Sequence, residues 1–134
     1  MVKVDLKHIK FSEFRTSTSI VSVVCENIVR VEPFDYSVLS EEAIKEVFAE
    51  VDKRRNGIRV KWLMPTAKYG DIDKSATKFD TRSYHKENSK ALAIVLLNLQ
   101  ARILFKFYLT IKKYPIPVKT FKTEEKAIDW LKTI

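Results

Sequence analysis

Glycine is scarce in this chain, which has only Gly57 and Gly70. A loop that cradles a pyrophosphate needs glycine at several positions so that the backbone can approach the ligand, so nucleotide-dependent enzymes are disfavoured. The same scarcity removes the Gly-x-Ser-x-Gly elbow of a serine hydrolase. Histidine is nearly absent too. His8 and His85 stand far apart, with no cysteine or carboxylate at ligand spacing, which argues against a metal site. A single cysteine, Cys25, cannot close an internal disulfide and lies in an apolar run, where a small buried hydrophobe is expected. Four prolines and no low-complexity tract leave little room for a linker. No apolar run is long enough to span a bilayer, and the opening Met-Val-Lys-Val-Asp-Leu-Lys-His has no secretory core, so a cytoplasmic protein is expected.

What is present is an ordinary globular composition, 46% apolar and 31% charged over 134 residues. That length suits one domain, 1–134, with residues 1–16 able to add an N-terminal strand. The formal charge of +8 is unevenly spread: −2 over residues 1–49, +5 over 50–90 and +5 over 91–134. A basic field of this kind attracts anionic lipid, nucleic acid or an acidic partner. Its lysines are scattered over helix faces, however, and solubility accounts for scattered lysine before a ligand does.

Hydrophobic patterning sets the order of elements. Val2, Val4 and Leu6 alternate with polar residues as a half-buried strand does. Ser19 to Val24 and Ile28 to Val31 are β-branched runs around Cys25-Glu26-Asn27, a hairpin in which Asn27 takes the left-handed conformation. Ser40 is placed to cap a helix carrying Glu41 and Glu42 in its first turn, with Leu39 stapling onto Ile44. Its apolar stripe is Ala43, Ile44, Val47, Phe48 and Val51, and Asn56-Gly57 ends it. Ile58 to Met64 is the next strand, stopped by Pro65, and Thr66 to Asp71 is a loop. Asp71 or Asp73 caps a short helix to about Thr81, using Ala76 and Phe79 as buried contacts, and Tyr84 to Lys90 is expected to be irregular.

Ala91 to Leu97 has no polar residue on either parity, so both faces must be covered, as in a central parallel strand. Leu99, Ile103, Phe107 and Ile111, with Leu104 and Tyr108, form a helical stripe expected to face the sheet, opposite Arg102, Lys106, Lys112 and Lys113. Pro115 and Pro117 forbid further helix, Val118 to Phe121 is a last strand, and Thr123 caps a final helix with Ala127, Ile128 and Leu131 inward. The fold class is therefore α/β, a mixed sheet that opens with an antiparallel hairpin and continues with parallel strands and crossover helices. The aromatic residues lie on apolar stripes, so core packing explains them before base stacking, and nucleic acid is disfavoured as a partner.

The C-terminal segments Lys90 to Leu97, Phe105-Lys106-Phe107-Tyr108-Leu109, Pro115 to Phe121 and Glu124 to Lys132 carry a resemblance, extending back to about Ser17. The chain resembles an uncharacterised bacterial family of STAS-like (SpoIIAA-like) proteins, commonest in Bacteroidetes. That likeness implies the fold of the anti-sigma-factor antagonists, shared in outline with the lipid-carrying Sec14 domain. It also implies a phosphorylatable serine at the start of the helix after Ile58 to Met64. Asp71-Ile72-Asp73-Lys74-Ser75-Ala76 stands there, with Lys74 between Asp73 and Ser75 and without the motif's glycine. A phosphate on Ser75 would be stabilised by the helix N-terminus and Lys74 or Lys78 and repelled by Asp71 and Asp73. The expected function is a non-enzymatic domain, with no cofactor, that binds a protein partner or itself near Thr66 to Ala76. The alternative is a lipid-binding module in which Lys106, Lys112 and Lys113 contact an anionic head group.

Overall fold

Asn27 turns the hairpin between Cys25 and Ile28. The computed structural model describes residues 8–66, 71–99, 102–103 and 113–134. In it, β1 (Phe14–Arg15) pairs antiparallel with β2 (Ser19–Cys25), and β2 with β3 (Ile28–Pro33). Asn27 sits at φ 60°, its carbonyl accepts from Lys61 N at 2.9 Å, and its Oδ1 accepts from Ile9 N at 2.8 Å. After β4 (Val38–Leu39), α1 (Glu41–Asp52) starts at Ser40, whose Oγ accepts from Ala43 N. The helix ends at Asp52, and the left-handed pair Asn56 and Gly57 follows in the next turn rather than closing the helix itself.

Three parallel pairings complete the main sheet. β5 (Val60–Pro65) lies beside β3, β7 (Ser89–Val95) beside β5, and β8 (Val118–Phe121) beside β7. The strand order is thus β1-β2-β3-β5-β7-β8, the expected mixed sheet. β6 (Asp71–Ile72) pairs with β4 in a separate parallel ribbon. Then come α2 (Lys74–Lys78) and α3 (Arg82–Asn88), and α4 (Glu124–Lys132) ends the chain. The core has two layers. Val47, Phe48 and Val51 of α1 cover one sheet face, with Val29, Val60, Trp62, Leu92 and Ile94. Ala127 and Leu131 of α4 cover the other, with Ile28, Leu63, Ala91, Ala93 and Val95. β7 is therefore buried from both sides, as its unbroken apolar sequence requires.

Further expectations need correction, beginning with Pro65, which closes β5 as its last paired residue, opposite Val95, rather than stopping the strand before it. Tyr84 to Lys90 is not irregular: it is mostly α3, which runs straight into β7 at Ser89. Its polar sequence concealed a helix because two of its residues pack inward as rings, Tyr84 stacking on Phe48 at 3.7 Å and His85 meeting Phe48 edge-on at 5.5 Å. The helix started at Asp73 ends at Lys78 rather than Thr81, since Phe79 is already extended. The central strand ends at Val95, so Leu97 lies outside it and is 53% exposed. Finally, Leu99 and Ile103, assigned to a sheet-facing stripe, are 68% and 65% exposed, whereas Arg102 is half-buried. The expected Val2 to Leu6 strand and the rest of that stripe fall outside the described residues.

Candidate functional site

In an open α/β sheet, ligands meet the ends of the strands from which the connections depart, because those connections can diverge there without disturbing the core. At this carboxyl edge, β3 leads into Tyr36 and β4, β5 leads towards β6 and α2, and β7 leads into Leu97. The loops are tied together by backbone groups. Asp71 N donates to Ser37 O at 3.1 Å and Asp73 N to Leu39 O at 2.8 Å, while Leu97 N donates to Thr66 Oγ1 at 3.2 Å.

The residues singled out in the sequence divide their tasks here. Asp73, not Asp71, caps α2, while Asp71 lies in β6 and its Oδ1 accepts from Ile72 N at 2.8 Å. Ser75 Oγ accepts from Glu41 N at 3.1 Å and donates to Asp73 Oδ2 at 3.3 Å. The serine thus links the starts of α1 and α2. That link was not legible in the sequence, because its two ends are 34 positions apart. Ser75 thereby has a structural task besides the phosphoacceptor role that the resemblance implies. Leu39, expected to staple onto Ile44, is aligned with Ile72 in the β4–β6 ribbon.

Lys113 lies elsewhere. It is exposed at the start of the approach to β8, at the amino edge of the parallel strands. Lys106 and Lys112 lie outside the described residues. Near Lys113, the Tyr114 ring meets His85 at 6.1 Å, and Arg59 Nη1 donates to Lys86 O at 3.2 Å. The exposed cations Arg59, Lys86, Lys90 and Lys113 therefore share this end of the sheet. Of the basic set, Lys113 alone is among the described residues, and it lies at the opposite end of the strands from Asp71, Asp73 and Ser75.

A third constellation, not expected from the sequence, is internal. Ser89 Oγ lies 2.8 Å from His85 Nδ1 and accepts from Trp62 Nε1 at 2.8 Å. Because the indole donates, the serine hydroxyl is free to donate to the imidazole. Burial pushes the His85 pKa down to about 4, so the ring is neutral at pH 7. Tyr84 OH donates to Asp52 Oδ1 at 2.8 Å, and burial together with that carboxylate raises the phenol well above its ordinary range. A serine beside a neutral histidine has the composition of a nucleophile and base, but Ser89 is 0% and His85 4% exposed. The pair is thus sealed within the core, bonded to Trp62. A spacing signal did exist, since His85 and Ser89 are four positions apart.

Among the described residues, no group of histidine, cysteine, aspartate and glutamate could hold a metal ion. No described helix is long and apolar enough to cross a membrane. A family model described as a domain of unknown function, DUF7793, matches residues 22–134. Among solved structures, the chain is similar to an uncharacterised protein of the DUF3478 family with a SpoIIAA-like fold from Shewanella loihica PV-4. The two share 15% identity at a TM-score of 0.55, over 98% of this chain and 99% of that one. At that identity the likeness concerns the fold. No curated protein matches the chain.

Proposed function

The chain belongs to the DUF7793 family and has a SpoIIAA-like fold, and from that premise we propose that it is a non-enzymatic interaction domain whose carboxyl edge receives a protein partner. One observation carries the reading. Of the eight exposed large hydrophobics among the described residues, five lie at this edge, Tyr36, Val38, Leu39, Leu97 and Leu99, and a sixth, Ile103, follows four positions after Leu99. Isolated exposed apolar residues are ordinary, but their collection at one end of a sheet is the mark of a surface meant to be covered. Tyr36 adds weight. It is 74% exposed and held at φ 63°, a conformation that bulky residues rarely adopt and that clusters at functional sites. The non-enzymatic part of the reading rests on the sealed Ser89–His85 pair.

Affinity purification of the tagged protein from its own cells tests this, alongside a Leu99→Glu/Ile103→Glu variant. The expected result is a reproducible partner retained by the parent and lost from the variant at an unchanged melting temperature. A partner held equally by both, or none in repeated purifications, would count against the reading. Native mass spectrometry of the same preparation, with flotation on anionic vesicles, covers the lipid alternative: a bound amphiphile or vesicle capture would replace a protein partner with a lipid.

A further inference from the structure

The partner's chemistry follows from the charges around the same edge, and this inference rests on the interaction reading above. Asp35 precedes Tyr36, Glu42 follows Leu39 in the first turn of α1, and Asp71 and Asp73 flank Ile72 on the adjoining ribbon. All four are exposed. None has a cationic partner among the described residues, whereas Glu41 engages Lys45 at 3.6 Å. Lys74, exposed on the first turn of α2, offsets one of them. Tyr36, Val38 and Leu39 thus stand exposed with carboxylates beside them along the chain and across the ribbon, where Val38 is aligned with Asp71 and Leu39 with Ile72, on a protein whose net charge is +8.

We propose that this edge binds a basic amphipathic helix, its apolar face on Tyr36, Val38 and Leu39 and its lysines or arginines beside Asp35, Glu42, Asp71 and Asp73. The overall positive charge does not forbid it. Arg59, Lys86, Lys90 and Lys113 lie at the far end of the strands, and the seven residues of β7 alone span about 20 Å, against a screening length of about 8 Å in physiological salt. At contact, the local carboxylates outweigh the distant lysines. An added strand is the poorer occupant, because that mode draws its affinity from main-chain hydrogen bonds and β4 is only two residues long.

Fluorescence anisotropy of two labelled amphipathic peptides, one of leucine and lysine and one of leucine and glutamate, tests the proposal with the full chain. The Leu/Lys peptide should bind, and its affinity should fall with added salt. Substitution Glu42→Gln/Asp71→Asn/Asp73→Asn should weaken it by roughly tenfold, the sum of a few exposed ion pairs, and Tyr36→Ala should weaken it as well. Asparagine is itself a good helix cap, so α2 should persist, and an unchanged melting temperature verifies that. Failure of the Leu/Lys peptide to bind, or equal binding by parent and variants, overturns the inference. Because the interaction reading is judged separately by partner loss in Leu99→Glu/Ile103→Glu, the two can fail independently.

Discussion

Ser89 shows how much a single buried hydroxyl can decide. It accepts from Trp62 Nε1 and faces His85 Nδ1 in the core, so Ser89→Ala leaves an indole N–H without its acceptor. The expected loss is about 1 to 3 kcal/mol, read from urea unfolding, because an unpaired buried donor costs its desolvation. His85 gives the same core a pH dependence. Its folded pKa of about 4 lies below the ordinary value of 6.5, so the unfolded state binds the extra proton first as pH falls. Stability is therefore full above about pH 6.5 and is lost towards pH 4, by on the order of 3 kcal/mol in all, with about 2 kcal/mol gone by pH 5. Unfolding curves at pH 7 and pH 5 should show that loss in the parent and a flatter response in His85→Phe. Equal slopes would mean that the imidazole is not what titrates.

Elements here are held by contacts between residues distant in sequence. Arg30 on β3 donates from Nε to Glu124 Oε1 at 2.5 Å and from Nη2 to Oε2 at 3.2 Å, and Nη1 reaches Glu32 at 2.6 Å. The Glu124 bond, reinforced by Glu32 and opposed by burial, raises the guanidinium pKa still further above its ordinary value. The fork anchors the start of α4 on the hairpin, and the partly exposed pair is worth about 1 kcal/mol, the loss expected in a melt of Arg30→Gln. β7 offers the sharper test. Ile94 and Val95 point to opposite core layers and are 6% and 0% exposed. An unpaired ion on either side costs several kcal/mol, a large part of the roughly 5 to 15 kcal/mol that holds a domain. Ile94→Asp and Val95→Asp should therefore both abolish or nearly abolish the cooperative melt. A near-parental midpoint for either would mean that one face of the strand is open.

At the scale of the molecule, the sheet separates two ends of different character, an apolar and acidic carboxyl edge and a lysine-rich amino edge. This arrangement also predicts where substitution is tolerated. Leu99→Glu/Ile103→Glu should shift stability by no more than about 0.5 kcal/mol, because both side chains already face solvent. A stripe packed on the sheet would instead lose about 2 kcal/mol or more per residue in a thermal melt.

Local signals were enough to order the chain. A β-branched run, a capping serine or threonine, a pair of glutamates in a first turn and a seven-residue apolar stretch each act within a few positions, and they placed both hairpin strands, α1, β5, β7, β8 and α4. They also named Asp73 and Ser75 as neighbours at a helix start. Tertiary structure decided the rest, because the deciding energies come from partners far along the chain. Tyr84 and His85 form a helix once Phe48 and Trp62 provide rings for them to pack on. Ser75 becomes a link only when Glu41 N arrives beside it, and Leu99 and Ile103 turn to solvent although their spacing matches that of a buried face. Periodicity reveals that residues share a side of a helix. Which side meets the sheet depends on where neighbouring elements leave room, and that is settled only when the chain packs.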